Sequence, residues 1–216
     1  MKYQHFIFDL DGTLINSEQG IRNSFDFAIR KLKLDIDLNK NFRDLLGPPL
    51  HDGFVKVLQM TDKEADVGVK YFREYYGQKG VFESVLYPGI YDLLKQMYKR
   101  GKKLHLATSK LEKYAIAILE HLEIRPFFTH ISGAAYKGPG ADKQYLIGQI
   151  IEKLPAIESG NALMIGDTRF DVEGAVRNRI DSWGVLYGYG SEQELSDAGA
   201  TRIINDIDHL MMELLT

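Results

Sequence analysis

Tyr3-Gln4-His5-Phe6-Ile7-Phe8 runs without a break into Asp9-Leu10-Asp11-Gly12-Thr13. The first six residues are β-prone and largely apolar, as a strand buried in a sheet requires; the next five form a loop carrying two carboxylates. On backbone that is still extended, residues two apart face the same side, so Asp9 and Asp11 are expected to converge on one point. Two converging anions repel each other unless a cation joins them, and their hard oxygens suit Mg²⁺. Gly12 permits a sharp reversal and close ligand approach, and Thr13 adds a hydroxyl and an N–H beside the site. Taken alone, Asp11-Gly12 is equally an ordinary tight corner. The other strand ends decide between the two readings.

Further apolar strands are expected at Lys103–Ala107, Phe128–Ser132, Ala162–Ile165 and Ser182–Leu186. Helical patterns alternate with them at Gly89–Arg100, Leu111–Leu122, Lys143–Leu154 and Asp171–Asn178. That alternation implies βαβ units and hence an α/β fold with a doubly wound, Rossmann-like parallel sheet. The stretch from Ser17 to Leu86 reads differently, as consecutive helices at Ile21–Leu32, Leu50–Gln59 and Lys63–Gly77. The expected organisation is therefore an α/β core of residues 1–15 and 87–216 carrying a helical insertion, 16–86.

In open α/β sheets ligands bind beyond the carboxyl ends of the strands. At Ile165-Gly166-Asp167-Thr168-Arg169-Phe170-Asp171 a second strand ends in an acidic loop. Asp167 would project into the same crevice as Asp9 and Asp11, making a Mg²⁺ site credible. Asp171, one helical turn on, is either a further carboxylate of that site or the N-cap of the next helix. Thr108 and Ser109 bring hydroxyls to another strand end, where they donate to a phosphate oxygen or cap a helix. A fixed positive charge should lie near a transferring phosphoryl group. Lys143, which opens a helix, suits that role better than Lys137, which lies in a Gly/Pro-rich loop. In the helical insertion, Gly47 with Pro48-Pro49 could form a substrate-contacting loop flanked by Arg43 or His51. A helix-breaking turn with solvated charges explains those residues as well. Arg73 sits among aromatic residues that read as packing, and His5, His105, His121, His130 and His209 read as structural.

Composition narrows the partners. The 216 residues are 44% hydrophobic and 26% charged, with net charge −3 and no block of like charges. Nucleic acid and anionic membrane both favour a basic face, so neither is an expected partner. Without cysteine, disulfides, thiolate catalysis and Cys-based metal sites are excluded. Asp9 and Asp11 interrupt the apolar stretch at the start, which cannot act as a signal or membrane segment; a cytoplasmic location is expected.

Together these residues resemble the haloacid dehalogenase superfamily of phosphatases. Asp9-Leu10-Asp11-Gly12-Thr13-Leu14 is similar to its first motif and Thr108 to the hydroxyl of its second. A lysine follows the third strand, and Gly166-Asp167 with Asp171 is similar to its acidic fourth motif. The resemblance implies that Asp9 attacks phosphorus to form an aspartyl-phosphate, and that Asp11 serves as acid and then base. It implies Mg²⁺ held by the Asp9 carboxylate, the Asp11 carbonyl and Asp167. Asp171 would support the metal's water shell or orient the lysine, and the helical insertion would be a mobile cap. Leu46-Gly47-Pro48-Pro49-Leu50 and Leu86-Tyr87-Pro88-Gly89 most resemble the phosphoglycolate phosphatase-like branch, although the third motif departs from the usual Arg-Lys-Pro pattern. The partner is then a small-molecule phosphate ester, with phosphoglycolate ahead of nucleoside monophosphates and pyrophosphate, and the protein a monomer or homodimer. A phosphosugar mutase, a dehalogenase and a phospho-accepting receiver module are the competing readings. A receiver, however, pairs adjacent acids after its first strand and has no room for a cap.

Overall fold

In the computed structural model, residues 2–40, 42–46, 50–135, 142–154 and 161–216 are described. In chain order the elements are β1 (His5–Phe8), β2 (Ile15–Asn16), α1 (Glu18–Leu32), α2 (Leu50–Asp52), α3 (Asp62–Gln78), β3 (Val85–Leu86) and α4 (Ile90–Lys99). They continue as β4 (Lys103–Leu111), α5 (Glu112–His121), β5 (Phe128–Ala134), α6 (Lys143–Ile151), β6 (Ala162–Gly166), α7 (Arg169–Arg177), β7 (Asp181–Val185), α8 (Glu192–Asp197), β8 (Arg202–Ile204) and α9 (Ile207–Leu215).

Phe6, Ile7 and Phe8 are fully buried, each stabilising by about 1.5–3 kcal/mol, so β1 belongs inside the sheet and not at its edge. The sheet order is β5-β4-β1-β6-β7-β8, with every neighbouring pair parallel. This is the doubly wound α/β architecture expected from the alternating pattern. From β1 the chain works outward through β4 to β5, then returns to the other side of β1 and continues through β6, β7 and β8. Right-handed crossovers force the helices of the two halves onto opposite faces. On one face Leu146, Ile147 and Ile150 of α6 and Ala175 of α7 pack on Ile7, Ala107 and Met164. The winding reverses between β1 and β6, so the crevice for a ligand opens where those two strands end.

The chain separates into two compact units, Met1–Asn16 with Val85–Thr216 and Ser17–Ser84. In the second unit Phe25 packs on Phe54 and Phe72 at 4.9 Å in each case, which fixes α1 against α3. The helix expected over Leu50–Gln59 is instead the single turn α2 followed by a π-helical turn, Gly53–Val57. Other departures concern short or late elements. β2 and β3 pair as a two-residue antiparallel ribbon, and β8, α8 and α9 extend the first unit beyond the last expected strand. Among the described residues no helix is long and apolar enough to cross a membrane.

His5, His105 and His130 lie on the adjacent strands β1, β4 and β5 and stack in a row. Their ring centroids are 5.3 and 5.2 Å apart with planes 21° and 11° from parallel. His5 Nδ1 and His105 Nε2 share a hydrogen bond of 3.0 Å. His105 is fully buried and its Nδ1 has no partner. Burial, reinforced by His5, His130 and Lys103, drives the His105 imidazole down to about 3 from an ordinary 6.5. The unfolded ring takes up a proton below pH 6.5 while the folded ring refuses it until about pH 3, so this residue removes stability as pH falls across that window. Urea titrations at pH 7, 6, 5 and 4 should show wild type losing up to about 1.4 kcal/mol per pH unit more than His105→Phe. Identical slopes would mean the ladder is not an acid-labile element.

Candidate active site

β1 delivers Asp9 to the reversal point. Its backbone N–H still donates to Ile165 O (2.9 Å), so the residue is held in register with β6 while its side chain enters the crevice. Beyond it the chain turns at once. Leu10 O accepts from the N–H groups of Thr13, Leu14 and Ile15 at 3.3, 2.9 and 3.0 Å. The extended geometry that would have aimed Asp11 beside Asp9 therefore ends too early. Carboxylate oxygens of Asp9, Asp167 and Asp171 lie within 4.8 Å of one another, and the Asp11 carboxylate is not part of that group. It lies 2.9 Å from Lys110 Nζ instead.

Lys143, the first residue of α6, is buried and points into the cluster. Its ammonium lies 2.6 Å from Asp9 Oδ1, contacts Asp171 Oδ1, and donates to Ala107 O at 3.0 Å. Gly174 on α7 leaves room for this, since a Cβ there would meet Lys143 at 3.0 Å. The alternative lysine, Lys137, lies outside the described residues, as does Gly47.

Asp171 is not the N-cap of α7 but the partner that closes its capping box. Thr168 is the N-cap, and Asp171, three residues on, accepts from Thr168 N (3.1 Å) and Oγ1 (2.8 Å) through Oδ2. With its other oxygen on Lys143, both carboxylate oxygens of Asp171 meet protein donors. Asp167 is held as tightly. Oδ1 accepts from Thr13 Oγ1 at 3.0 Å and Oδ2 from Tyr189 N at 2.8 Å. The Thr13 hydroxyl is thus turned to Asp167. Gly12, at φ +82°, passes so close that a Cβ would lie 2.1 Å from Asp167 Oδ2.

Thr108 is buried, and its Oγ1 accepts from Lys110 N at 3.2 Å. It is not a helix cap: β4 continues through Thr108, Ser109 and Lys110 to Leu111, and α5 begins only at Glu112. Ser109 is exposed on that extension. In the helical unit, Arg43 is exposed on a 3₁₀ turn, Phe42–Leu45.

Sequence reasoning missed the loop after β7, Tyr187-Gly188-Tyr189-Gly190. It supplies the backbone donor to Asp167, and Tyr187 Oη donates to Thr13 O at 3.0 Å. A Cβ on Gly188 would lie 2.3 Å from Asp167 Cβ and 2.5 Å from Gly12 O. The repeated glycines were the available signal.

Burial raises the Asp9 carboxyl to about 7; Lys143 pulls it down and Asp171 and Asp11 push it up. Burial raises Asp167 too, reinforced by Asp9 and Asp171. Burial disfavours the Lys143 ammonium, yet Asp171 and Asp9 outweigh it and hold the lysine charged. With all groups ionised, Asp9, Asp11, Asp167 and Asp171 exceed Lys143 and Lys110 by two negative charges, which matches one divalent cation. Hard carboxylate oxygens on rigid strand ends fit Mg²⁺.

The sequence pattern of the haloacid dehalogenase-like hydrolases matches residues 6–185, and the chain belongs to that family. Among its relatives is a 5'-nucleotidase of Pseudomonas aeruginosa, 33% identical over 99% of this chain and 96% of that protein. A phosphoglycolate phosphatase of Pseudomonas fluorescens is 28% identical over 95% of this chain and 77% of its own length. The solved structure of protein tyrosine kinase A from Mycobacterium tuberculosis is also similar, at 30% identity and a TM-score of 0.85, with 99% of each chain covered.

Gly188→Ala should force the β7 loop off Asp167 and lower hydrolytic turnover by about 10–100-fold, the usual effect of losing a ligand's supporting partner. Gly148→Ala, where a Cβ would meet only Asn178 Oδ1 at 3.3 Å, is the control for the added methyl group. Equal turnover of the two variants would show that the loop does not position Asp167.

Proposed function

We propose that the protein is a Mg²⁺-dependent phosphatase that hydrolyses small-molecule phosphate monoesters by way of an aspartyl-phosphate on Asp9. The observation that carries this reading is the buried Asp9–Asp167–Asp171 cluster with Lys143 in its middle, two negative charges in excess. The names of the nucleotidase and phosphoglycolate phosphatase relatives support phosphate esters as the substrate class.

An Asp9 oxygen attacks phosphorus, the bond from phosphorus to the ester oxygen breaks, and Asp11 gives its proton to the departing oxygen. Water then attacks the phosphorus of the aspartyl-phosphate while Asp11 takes up a proton, and inorganic phosphate leaves with the Asp9 carboxylate restored. Lys143 and the Thr108 hydroxyl stabilise the phosphoryl oxygens as charge builds on them. Asp9, Asp167 and the Asp11 carbonyl would hold Mg²⁺, whose charge offsets the repulsion between the nucleophile and an anionic substrate. Asp171 orients Lys143. Ser109 and Gly12 line the strand ends where the ester binds, and the helical unit, Arg43 and Gly47 included, is where substrate selection is expected.

The test is a phosphate-release screen over small esters, including phosphoglycolate, nucleoside monophosphates and phosphotyrosine, with and without Mg²⁺. Wild type should turn over repeatedly only with the metal, and Asp9→Asn should lose at least ~10³-fold. Equal activity of wild type and Asp9→Asn would overturn the reading, and phosphotyrosine formation from a nucleoside triphosphate without phosphate release would favour the kinase that one relative is named for. Because Asp9 and Asp167 are raised towards neutrality, their protonation competes with metal. Mg²⁺ affinity should therefore rise with pH between 6 and 8, with proton release visible in calorimetry across buffers of different ionisation enthalpy.

A further inference from the structure

Thr13 is fully buried and is held at both its polar oxygens. Its hydroxyl donates to Asp167 Oδ1 at 3.0 Å, and its carbonyl accepts from Tyr187 Oη at 3.0 Å. The residue thus stands between a carboxylate assigned to Mg²⁺ and a phenol with no place in the reaction proposed above. Its own N–H reaches Leu10 O only at 3.3 Å, the longest of the three bonds that close that turn. The turn alone holds Thr13 weakly, and Tyr187 supplies a second anchor.

The phenol is itself fixed. Tyr187 lies two residues beyond β7, and its ring meets that of Tyr87 edge to face, with centroids 5.2 Å apart and planes 70° from parallel. Tyr87 N–H donates to Leu14 O at 3.1 Å, which ties this second ring to the residue after Thr13. Two residues past Tyr187 the same loop closes on the residue before it: a Cβ on Gly12 would lie 2.9 Å from Tyr189 Cδ2. Gly12, Thr13 and Leu14 are therefore each held by a different tyrosine.

The aim of the Thr13 hydroxyl matters because of the charge it meets. Asp167 accepts from Thr13 and from the Tyr189 amide, and neither donor is a cation. A buried carboxylate that loses one of two neutral donors loses both orientation and stabilisation of its charge. Without the Tyr187 bond the Thr13 backbone loses its outer anchor, and its hydroxyl drifts with it.

We infer that Tyr187 is a positioning residue that sets the Mg²⁺ affinity of the site through Thr13. Its hydroxyl holds the Thr13 carbonyl, Thr13 holds Asp167, and Asp167 meets the metal. The inference rests on the Mg²⁺-dependent phosphatase reading and adds to it the tie that keeps one metal ligand aimed.

The test is Mg²⁺ titration by calorimetry, without substrate, of wild type, Tyr187→Phe, Thr13→Val and the double variant. Tyr187→Phe keeps the ring and its contact with Tyr87 and removes only the hydroxyl. It should weaken Mg²⁺ binding by about tenfold, the lower end of what losing a ligand's supporting partner costs. Thr13→Val, which removes the hydroxyl on Asp167, should weaken it by about 10–100-fold. In the Thr13→Val background Tyr187→Phe should change the affinity by less than about twofold, because the path from the phenol to Asp167 is already cut. Phosphate release should divide in the same way. Tyr187→Phe should need more Mg²⁺ for half its maximal rate, with kcat at saturating Mg²⁺ within about threefold of wild type. Equal affinity of wild type and Tyr187→Phe, equal losses in both backgrounds, or a Tyr187→Phe protein that does not fold would each overturn this inference alone. A wild type that neither binds Mg²⁺ nor releases phosphate would overturn the phosphatase reading, and this inference with it.

Discussion

Mutual repulsion among buried carboxylates is the constraint around which the first unit is organised. Asp9, Asp167 and Asp171 are each no more than 7% exposed, and isolated ionised carboxylates cannot be taken from water at such density. Lys143 is the internal answer: it touches two of the three, and α6 and α7 must approach closely enough, at Gly174, for its stem to reach them. The remaining donors answer the same need. The Thr13 hydroxyl and the Tyr189 amide hold both oxygens of Asp167, while Thr168 holds the one oxygen of Asp171 that the lysine leaves. With all groups ionised two negative charges remain beyond those of the lysines, and burial together with this repulsion raises the proton affinity of Asp9 and Asp167.

The groups that hold these carboxylates also divide their roles. Asp167 keeps a geometry set by a hydroxyl and a backbone amide, neither of which carries a full charge. Asp171 is closed off by a lysine and a threonine, which makes it a support. Asp11 stands apart because the turn at Leu10 takes it off the strand and beside Lys110.

Much of this was legible in the sequence because it is written in strand ends. A buried apolar run stopping at an aspartate, repeated at Phe8 and Ile165, points to both the sheet and the crevice. The placement of Lys143 followed from its position at the first turn of a helix. Other features left no such mark. Tyr189 contributes a backbone amide, which every residue but proline possesses, so its identity says nothing of its role. Lys110 left no mark because only the irregular end of β4 brings it beside Asp11. The histidine ladder depends on register between β1, β4 and β5, strands far apart in the chain. The two-residue strands β2 and β3 are too short for any periodicity to register. The turn at Leu10 defeated the alternation rule because one residue of lost extension suffices to turn a side chain away.

The sheet order has a consequence for the birth of the molecule. β1 lies between β4 and β6, and the loop that completes the support of Asp167 follows β7. Asp9 therefore leaves the ribosome well before its partners Lys143, Asp167 and Tyr189. Until β6 has docked beside β1, Asp9 has neither the burial nor the neighbouring carboxylates that raise its proton affinity. The carboxylate cluster therefore cannot form until the central strands close, however early Asp9 is made.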